Sequence, residues 1–299
     1  MVAQRQSKED DLNPAQLGAL ACQHIERVAR EAGRSTPKIH LSLEDATAAT
    51  GYVEVPRLTR EQLKLALPTA VARDIPYTLA EVDLYPFEVP ALHKSDHLGY
   101  FFLAIPKATL VARKGLFAQG GLEVASCEPG VLALVRGLAR NHTIPSEECS
   151  LVVVCGFRTT HVILLSGGKP YFSRDFGMAG ADFTYAFQMG DQVDWNQAEQ
   201  SKLDYHVGER DFKVESFIQR WLTEIQRSLK FARQRFPMLH PGQVILTGGT
   251  ALWRGLDERL SEALGLPVRV EQWHQLQPSS SSGPAEIVFY QQALGLVTP

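Results

Sequence analysis

The strongest constraint on the fold is a pair of adjacent glycines, Gly248 and Gly249, between an apolar run and an amphipathic segment. The apolar run at residues 244–246 predicts a short strand that enters the pair, and the pattern over residues 252–264 predicts a helix that leaves it. Two glycines allow a positive φ and let another group approach the backbone closely. Exposed N–H groups at the positive end of a helix suit a phosphate or a ribose. A tight strand-to-helix turn without a ligand is the simpler alternative.

Length and composition limit the class of protein. A chain of 299 residues is long enough for two domains. A formal net charge of −3 argues against general binding to nucleic acid or to an anionic membrane surface. The cysteines lack C-x-x-C spacing, which favours a reducing compartment and no zinc site. The sequence contains no apolar run of membrane-spanning length, and residues 1–11 are too polar for a signal peptide, so we expect a cytosolic protein.

The first half of the chain predicts an alternation of helices and strands. Apolar residues recur at helical spacing over residues 14–33. Thr59 and Gln62 have capping-box spacing and predict a helix that Pro68 should kink or break. The other predicted elements are strands at 38–43, 51–55, 79–89, 99–105 and 122–126 and helices at 107–119 and 130–140. A polar segment over residues 141–149 separates this half from the next.

The second half predicts a strand-rich unit. Three strands are predicted at 151–155, 161–165 and 170–176, the last two joined as a hairpin by Gly167 and Gly168. A helix is predicted from near Asp182, followed by a polar stretch over 200–208. The clearest helix carries an apolar stripe at four-residue spacing, formed by Phe217, Trp221, Ile225 and Leu229. After the glycine pair come a predicted strand at 266–270, a flexible linker at 279–283 and an apolar helical segment at 287–296.

Several different short motifs follow one another along nearly the whole chain. They are Asp74-Ile75-Pro76-Tyr77, Ala104-Ile105-Pro106-Lys107, Gly121-Leu122, residues 168–184 and 224–229, Thr247-Gly248-Gly249 and Ala293-Leu294-Gly295-Leu296. Together they resemble the PilM family of type IV pilus assembly proteins, within the actin-like ATPase superfamily that also holds sugar kinases, DnaK-type chaperones and FtsA. The resemblance implies an α/β, actin-like (ribonuclease H-like) two-domain fold with an inserted small subdomain. Its implied bounds are 1–145 for the first domain, about 42–89 for the inserted subdomain, and 146–299 for the second domain.

The sequence departs from that family at both phosphate-binding loops. Family members begin with a β-hairpin that wraps the first phosphates, whereas Met1 lies almost directly before the first predicted helix. We therefore expect a first domain truncated at its N-terminus, through a true loss or a start codon chosen too late. The second loop reads D-I-G-x-x-x-T in the family, and here it is Val154-Cys155-Gly156-Phe157-Arg158-Thr159-Thr160.

The valine at position 154 bears on catalysis. The resemblance implies that the two loop aspartates hold Mg²⁺ through its waters and position the attacking water. A hard divalent cation needs oxygen ligands, which Val154 lacks. Without either aspartate we expect no metal site and no in-line phosphoryl transfer, so the chain is expected not to be an enzyme.

The resemblance implies that the adenosine side of a nucleotide site is better preserved. The implied nucleotide-binding residues are Gly156, Thr159, Thr160, Glu224, Arg227, Gly248 and Gly249. Glu224 and Arg227 would flank the purine, one helical turn apart. A surface i,i+3 ion pair is the alternative for these two residues. ATP or ADP is therefore a candidate ligand, and no other cofactor is expected.

The most favoured function is a non-enzymatic scaffold. The resemblance implies that it binds the short cytoplasmic tail of an inner-membrane PilN-like protein beside the inserted subdomain, and it suggests the pilus motor ATPases as further partners. Tyr77 and Tyr85 are the candidate anchors, and an edge strand there could accept the peptide by β-augmentation. Packing inside the subdomain is the alternative for such aromatic residues.

Two other functions from the same superfamily are weighed against the scaffold. A sugar or acid kinase needs the carboxylates that the phosphate loops lack. An FtsA-like division protein needs a basic amphipathic membrane helix, which the C-terminal segment does not resemble. We therefore expect a cytoplasmic protein that is peripheral at the inner membrane through its partners, without direct membrane insertion or nucleic-acid binding.

Overall fold

The computed structural model describes residues 14–31, 33, 39–43, 48–140, 148–208 and 212–271. The helices are α1 (Pro14–Glu31), α2 (Arg60–Val71), α3 (Lys107–Ala118), α4 (Gly130–Arg140), α5 (Gly180–Asp191), α6 (Trp195–Asp204), α7 (Phe212–Arg235) and α8 (Leu256–Leu264). The strands are β1 (Ile39–Leu43), β2 (Ala49–Pro56), β3 (Val82–Val89), β4 (His97–Pro106), β5 (Val124–Pro129), β6 (Cys149–Cys155), β7 (Thr160–Ser166), β8 (Lys169–Phe176), β9 (Gln243–Thr247) and β10 (Val268–Val270). The linker predicted at 279–283 and the helix predicted at 287–296 lie outside the described residues.

The N-terminal elements form a small layer around β1 and β5. These two strands pair in parallel, with Ile39 opposite Val124. Cys22 of α1 is buried beside Ile39 and Leu122, and its Sγ lies 3.7 Å from the carbonyl oxygen of Phe117 at the end of α3. The buried thiol therefore acts as a small core residue that joins α1 to α3.

The inserted region forms a three-stranded antiparallel sheet in the order β2-β4-β3. The central strand β4 lies beyond residue 89, so the sheet extends past the range of about 42–89 predicted for the subdomain. Helix α2 covers one face of the sheet, where Leu67 and Val71 are buried against Tyr100 and Phe102. This leaves β2 and β3 as the two edge strands.

Helix α2 begins at the predicted capping box. The Thr59 Oγ1 accepts from the Gln62 N–H at 3.3 Å, and the Gln62 Oε1 accepts from the Thr59 N–H at 3.0 Å. The prediction was a kink or a break at Pro68, and the break is wrong, because the helix continues to Val71 and the Ala72 N–H donates to the Pro68 carbonyl oxygen at 2.9 Å. Pro68 lies in the last turn, where the missing proline N–H removes a single bond and the helix is about to end.

The second half is built on a five-stranded sheet in the order β10-β9-β6-β7-β8. Strands β6, β7 and β8 are antiparallel neighbours, and the pairing of β7 with β8 confirms the predicted hairpin. Strand β9 is parallel to both β6 and β10. Helix α7 packs on this sheet with Trp221 and Ile225 fully buried, which confirms the predicted apolar stripe. The polar stretch predicted over 200–208 is partly helical, since α6 runs to Asp204 from an Asp194 capping box.

The two larger sheets meet at their edges. The Thr50 Oγ1 of β2 donates to the Ser173 carbonyl oxygen of β8 at 2.9 Å. Next to this contact, the Tyr52 ring packs on Tyr171 and Phe236, with ring centroids 5.6 and 5.5 Å away. Because Tyr52 belongs to the buried core of the five-stranded sheet, one face of the three-stranded sheet continues that core.

Candidate functional site

The loop after β6, predicted to bind phosphate, is closed by backbone hydrogen bonds within the chain. The Gly156 N–H donates to the Thr159 carbonyl oxygen at 3.1 Å. The Gly156 carbonyl oxygen accepts from the Gly180 N–H at 3.0 Å, and the Phe157 carbonyl oxygen accepts from the Ala181 N–H at 2.7 Å. The first N–H groups of α5 are therefore capped by this loop, and they are the groups that would otherwise suit an anion.

Thr160 is fully buried, and its hydroxyl is fully engaged. Its Oγ1 donates to the Met178 carbonyl oxygen at 2.6 Å and accepts from the Trp221 Nε1 at 3.0 Å. The hydroxyl therefore joins β7, the segment before α5, and helix α7. Val154 lies nearby in β6, opposite His161 and Thr247 on the neighbouring strands, and is 8% exposed.

The glycine pair packs against β6. Gly248 has φ +91°, and a Cβ at this position would lie 2.4 Å from the carbonyl oxygen of Cys155. The close approach that the pair was predicted to allow is thus made by the chain's own strand. Burial raises the pKa of the Cys155 thiol to about 11, so this neighbour is a neutral core residue.

The segment after Gly248 departs from the predicted helix over 252–264. Gly249 starts a 3₁₀ turn of four residues, Gly249–Leu252, and α8 begins only at Leu256. The delay has a local reason, since Gly255 at the start of α8 has φ +78°. The Thr250 Oγ1 of the 3₁₀ turn donates to the Gly156 carbonyl oxygen at 3.3 Å. Residues 154–160, 178–181 and 247–250 are therefore one packed unit, called the glycine junction below.

A buried lysine lies next to the glycine junction and was not predicted from the sequence. The Lys202 Nζ donates to the Thr184 Oγ1 at 2.9 Å and to a Glu199 carboxylate oxygen at 2.7 Å, and the Lys202 side chain is 9% exposed. The i,i+3 spacing of Glu199 and Lys202 is visible in the sequence, but surface pairs share that spacing. Only the packing of α6 on α5 shows that this pair is buried.

Glu224 and Arg227 lie apart from the glycine junction. Glu224 accepts from Arg227 and, at 3.0 Å, from the Nη2 of Arg174 on β8. The Arg174 Nη1 also donates to the Ser228 Oγ at 3.1 Å. The structure therefore brings together the five predicted residues of the two loops and places the predicted pair on α7 in an ion-pair cluster with Arg174. Their role toward a nucleotide stays a prediction.

The two tyrosines predicted as partner anchors lie on opposite sides of the three-stranded sheet. Tyr77 is half-buried beside the α2 cluster. Tyr85 packs on the other face, and its hydroxyl lies 3.5 Å from the Cys127 carbonyl oxygen of β5. The edge strand β3 also contains Pro86, which has no N–H, and the exposed Asp83 and Glu88. A proline and charges on an edge strand oppose continuous pairing with another strand.

A second candidate site is an open cleft between α2 and the C-terminal end of α7. Two connected cavities of about 980 and 680 Å³ share Tyr52, Asp74, Arg235 and Phe236. Helix α2 forms one wall, α7 and β8 form the other, and β2 lies between them. We call this surface the α2–α7 cleft. Its lining includes none of the glycine junction residues.

A buried carboxylate fixes the loop at one end of this cleft. The Glu54 Oε1 accepts from the Tyr52 hydroxyl at 2.6 Å, the Leu92 N–H at 2.8 Å and the His93 N–H at 2.9 Å. Burial acts to raise the pKa of Glu54, but these hydrogen bonds outweigh it and lower the pKa to about 2. Glu54 is thus a structural anion whose oxygen is occupied by the chain itself.

The described residues contain neither a cluster of metal-binding side chains nor a helix that could cross a membrane. No group of three or more His, Cys, Asp or Glu side chains there could hold a metal ion. No helix within the same part of the chain combines the length and the apolar character needed to cross a membrane.

Comparisons with known proteins place these features in a family. A family model described as "Type IV pilus assembly protein PilM" matches residues 11–289. No curated protein matches the sequence. A solved structure titled "PilM-PilN type IV pilus biogenesis complex" is 24% identical, covers 93% of this chain and 84% of that chain, and has a TM-score of 0.77. This likeness confirms the predicted α/β, actin-like two-domain fold.

Two more distant structures also match. The ethanolamine utilization protein EutJ from Carboxydothermus hydrogenoformans is 21% identical, with a TM-score of 0.45 over 62% of this chain and 60% of that chain. MreB5 of Spiroplasma citri bound to ADP is 16% identical, with a TM-score of 0.45 over 63% of this chain and 64% of that chain.

Proposed function

Because the chain belongs to the type IV pilus assembly protein PilM family, we propose that it is a cytoplasmic scaffold that binds the cytoplasmic segment of a PilN-like inner-membrane protein. The solved relative is a PilM–PilN complex, which supports the choice of partner. Through that partner the protein sits at the inner membrane without entering it. We further propose that it acts without hydrolysing ATP.

The observation that supports the scaffold proposal is that the glycine junction lacks a side-chain carboxylate at position 154 and is closed by internal hydrogen bonds. ATP hydrolysis requires a metal ion and an oriented water, and both are held by oxygen ligands. Phosphoryl transfer by a kinase requires the same kind of metal ion. Position 154 offers a valine, while the neighbouring Thr160 hydroxyl already bonds Met178 and Trp221. The kinase alternative has the same requirement and gains no support here.

The first test measures phosphate release by the purified full chain with ATP and Mg²⁺. We expect no turnover above the background without protein. Turnover that follows the protein through gel filtration and is abolished by EDTA would overturn the non-enzymatic part of the proposal, while leaving partner binding untouched.

The surface around Tyr85 supports the binding part of the proposal. Tyr85 reaches from β3 to the Cys127 carbonyl oxygen of β5, so a segment docked there would contact two sheets. Aromatic residues that are half-buried and carry a hydroxyl are frequent anchors at protein interfaces. Because Pro86 interrupts the donors of β3, we expect side-chain contacts to contribute more than strand pairing.

The second test titrates the N-terminal cytoplasmic peptide of the PilN-like protein into the full chain by calorimetry. We expect Tyr85→Ala to weaken binding about tenfold. Tyr185→Ala is the matched control, because Tyr185 is 48% exposed on α5, and we expect it to leave binding unchanged. Tyr77→Ala tests the opposite side of the sheet. Binding that is insensitive to both Tyr85→Ala and Tyr77→Ala would place the peptide elsewhere, and no binding at all would overturn the choice of partner.

A further inference from the structure

We propose that the α2–α7 cleft is a second docking surface, which takes an acidic amphipathic helix from a protein partner. This inference goes beyond the proposed function, since it concerns β2, α2 and α7 rather than the Tyr85 surface between β3 and β5. Shape, apolar exposure and charge each support it.

The shape of the cleft fits a helix. One wall is a stripe on α2, formed by Gln62, Leu65, Ala66, Thr69 and Ala70, and Arg73 lies just past the C-terminal end of this helix. At the rise of an α-helix, the stripe from Gln62 to Ala70 is about 12 Å long, which matches a helical segment of about nine residues. The facing wall is the end of α7, and the floor is β2. A groove between two helices is a common receptor for an amphipathic helix, which inserts its apolar face.

The walls of the cleft expose large apolar side chains. Leu65 on α2 is 79% exposed, and Phe231 on α7 is 56% exposed. Between them lie the buried rings of Tyr52 and Phe236, which form an apolar base. The hydrophobic effect favours covering such a concave apolar surface, so a partner helix needs aliphatic or aromatic residues along one face.

The positive charge of the cleft favours acidic residues beside the apolar face of the partner helix. Arg73 and Arg235 are exposed, and within the described residues neither forms an ion pair. Arg227, at the far end, shares Glu224 with Arg174. The lining carboxylates are only two, and one of them, Glu54, is already occupied by Tyr52 and by backbone N–H groups.

This basic character is local, because the whole chain carries a net charge of −3. The complementary occupant is therefore a segment with Asp or Glu beside its apolar face. A nucleic acid would satisfy the arginines but would leave the aliphatic wall of Leu65 and Ala66 uncovered, so a peptide is the better match.

The experiment uses the full chain and two labelled peptides of about 12 residues, which is long enough to span the α2 stripe and reach Arg73 beyond it. One peptide carries Leu and Phe on one helical face and Glu on the other, and the second carries Lys in place of each Glu. Fluorescence anisotropy measures their affinities at low and moderate salt. We expect the Glu peptide to bind about tenfold more tightly than the Lys peptide, with a difference that shrinks as salt rises.

Variants that reverse the charge of the cleft arginines test whether the Glu peptide binds in the cleft. We expect the double variant Arg73→Glu/Arg235→Glu to weaken Glu-peptide binding about tenfold. The matched control is Arg60→Glu/Lys64→Glu, which reverses the same number of charges at exposed positions of α2 that do not line the cleft. We expect this control to bind the Glu peptide as the wild-type chain does. Leu65→Asp tests the apolar wall and should also weaken binding.

Three results would overturn the proposal. First, the wild-type chain could bind both peptides equally, or it could bind neither peptide. A cleft that is already filled by another part of the chain would give the second of these outcomes. The control double variant could weaken binding as much as the cleft double variant does. A single-stranded oligonucleotide could bind more tightly than the Glu peptide and lose its binding in the cleft variant, which would assign the surface to nucleic acid instead.

Discussion

The glycine junction and the α2–α7 cleft use their polar groups in opposite ways. At the junction, the Thr160 hydroxyl and the Gly156 backbone are bonded to other parts of the chain. In the cleft, Arg73 and Arg235 are exposed and, among the described residues, form no ion pair. A ligand at the junction would have to break internal hydrogen bonds, whereas a ligand in the cleft would displace mainly water. A binding function is therefore more favourable in the α2–α7 cleft than at the glycine junction.

The comparison also predicts how each region responds to substitution. Changes within the junction should reduce the free energy of unfolding, because each group there has a fixed neighbour. Changes on the cleft walls should leave stability nearly unchanged and alter binding instead. The four predictions below test this contrast.

The largest effect is expected for Gly248→Ala. The new Cβ would lie 2.4 Å from the Cys155 carbonyl oxygen, and φ is +91°, so we expect a loss of about 3 kcal/mol in the free energy of unfolding. Gly265→Ala is the matched control. Gly265 has φ +63° with nothing within 4 Å of the new Cβ, and we expect a loss of about 1 kcal/mol. Urea unfolding measures both, and equal losses would mean that the junction is not tightly packed.

The next effect concerns the buried hydroxyl. Thr160→Val keeps the shape but leaves the Trp221 Nε1 and the Met178 carbonyl oxygen without this partner, so we expect a loss of about 2 kcal/mol. Thr159→Val, one residue earlier and half-buried, should change stability by less than about 0.5 kcal/mol. The same urea series measures both variants. A near-neutral Thr160→Val would show that the hydroxyl contributes little to closing the loop.

Glu54 is the exception on the cleft side, because its carboxylate is buried and bonded. Its pKa is lowered to about 2 from an ordinary value of 4.5, so its stabilising effect is complete above pH 4.5 and is lost as the pH falls through about 2. We expect Glu54→Gln to lose about 1.5 kcal/mol at pH 7, and we expect this difference from the wild-type chain to shrink as the pH falls from 4.5 towards 2. Glu123→Gln, at an exposed carboxylate, is the control. A constant difference at every pH would exclude linkage to the Glu54 carboxylate.

The smallest effect is expected for Arg227→Ala at the far end of the cleft. Its pair with Glu224 is largely exposed, so the loss should stay below about 0.5 kcal/mol. Glu224→Ala should cost more, about 1 kcal/mol, because among the described residues the Arg174 guanidinium then keeps only the Ser228 hydroxyl as a hydrogen-bond partner. Thermal unfolding compares the two variants. The reverse order would show that Arg227, and not Arg174, is the main partner of Glu224.

Local patterns predicted most elements of the fold. The capping box placed the start of α2, and the apolar stripe through Trp221 placed α7. The prediction missed α6, because its polar sequence shows no apolar periodicity. It also placed the start of α8 four residues too early, since the pattern alone does not reveal the 3₁₀ turn before Leu256.

Local sequence patterns predicted the candidate site less well than they predicted the fold. The sequence indicated that Gly248 and Gly249 allow a close approach to the backbone, but it left open a ligand site or a tight turn without a ligand. It also paired Tyr77 with Tyr85 as anchors, although the two lie on opposite sides of one sheet. Eight positions separate Tyr77 from Tyr85, and the chain turns into β3 between them. Tertiary packing sets the direction of that turn, so the sequence alone does not show on which side of the sheet each tyrosine lies.

The sequence by itself determined where most strands and helices lie and that the side chain at position 154 offers no oxygen ligand, because periodicity and side-chain chemistry are local properties. Only the tertiary structure decided which groups meet. Trp221 bonds Thr160 across 61 residues, and Arg174 bonds Glu224 across 50. Such contacts depend on how sheets and helices pack over the whole chain, and the same packing closes the glycine junction while it leaves the α2–α7 cleft open.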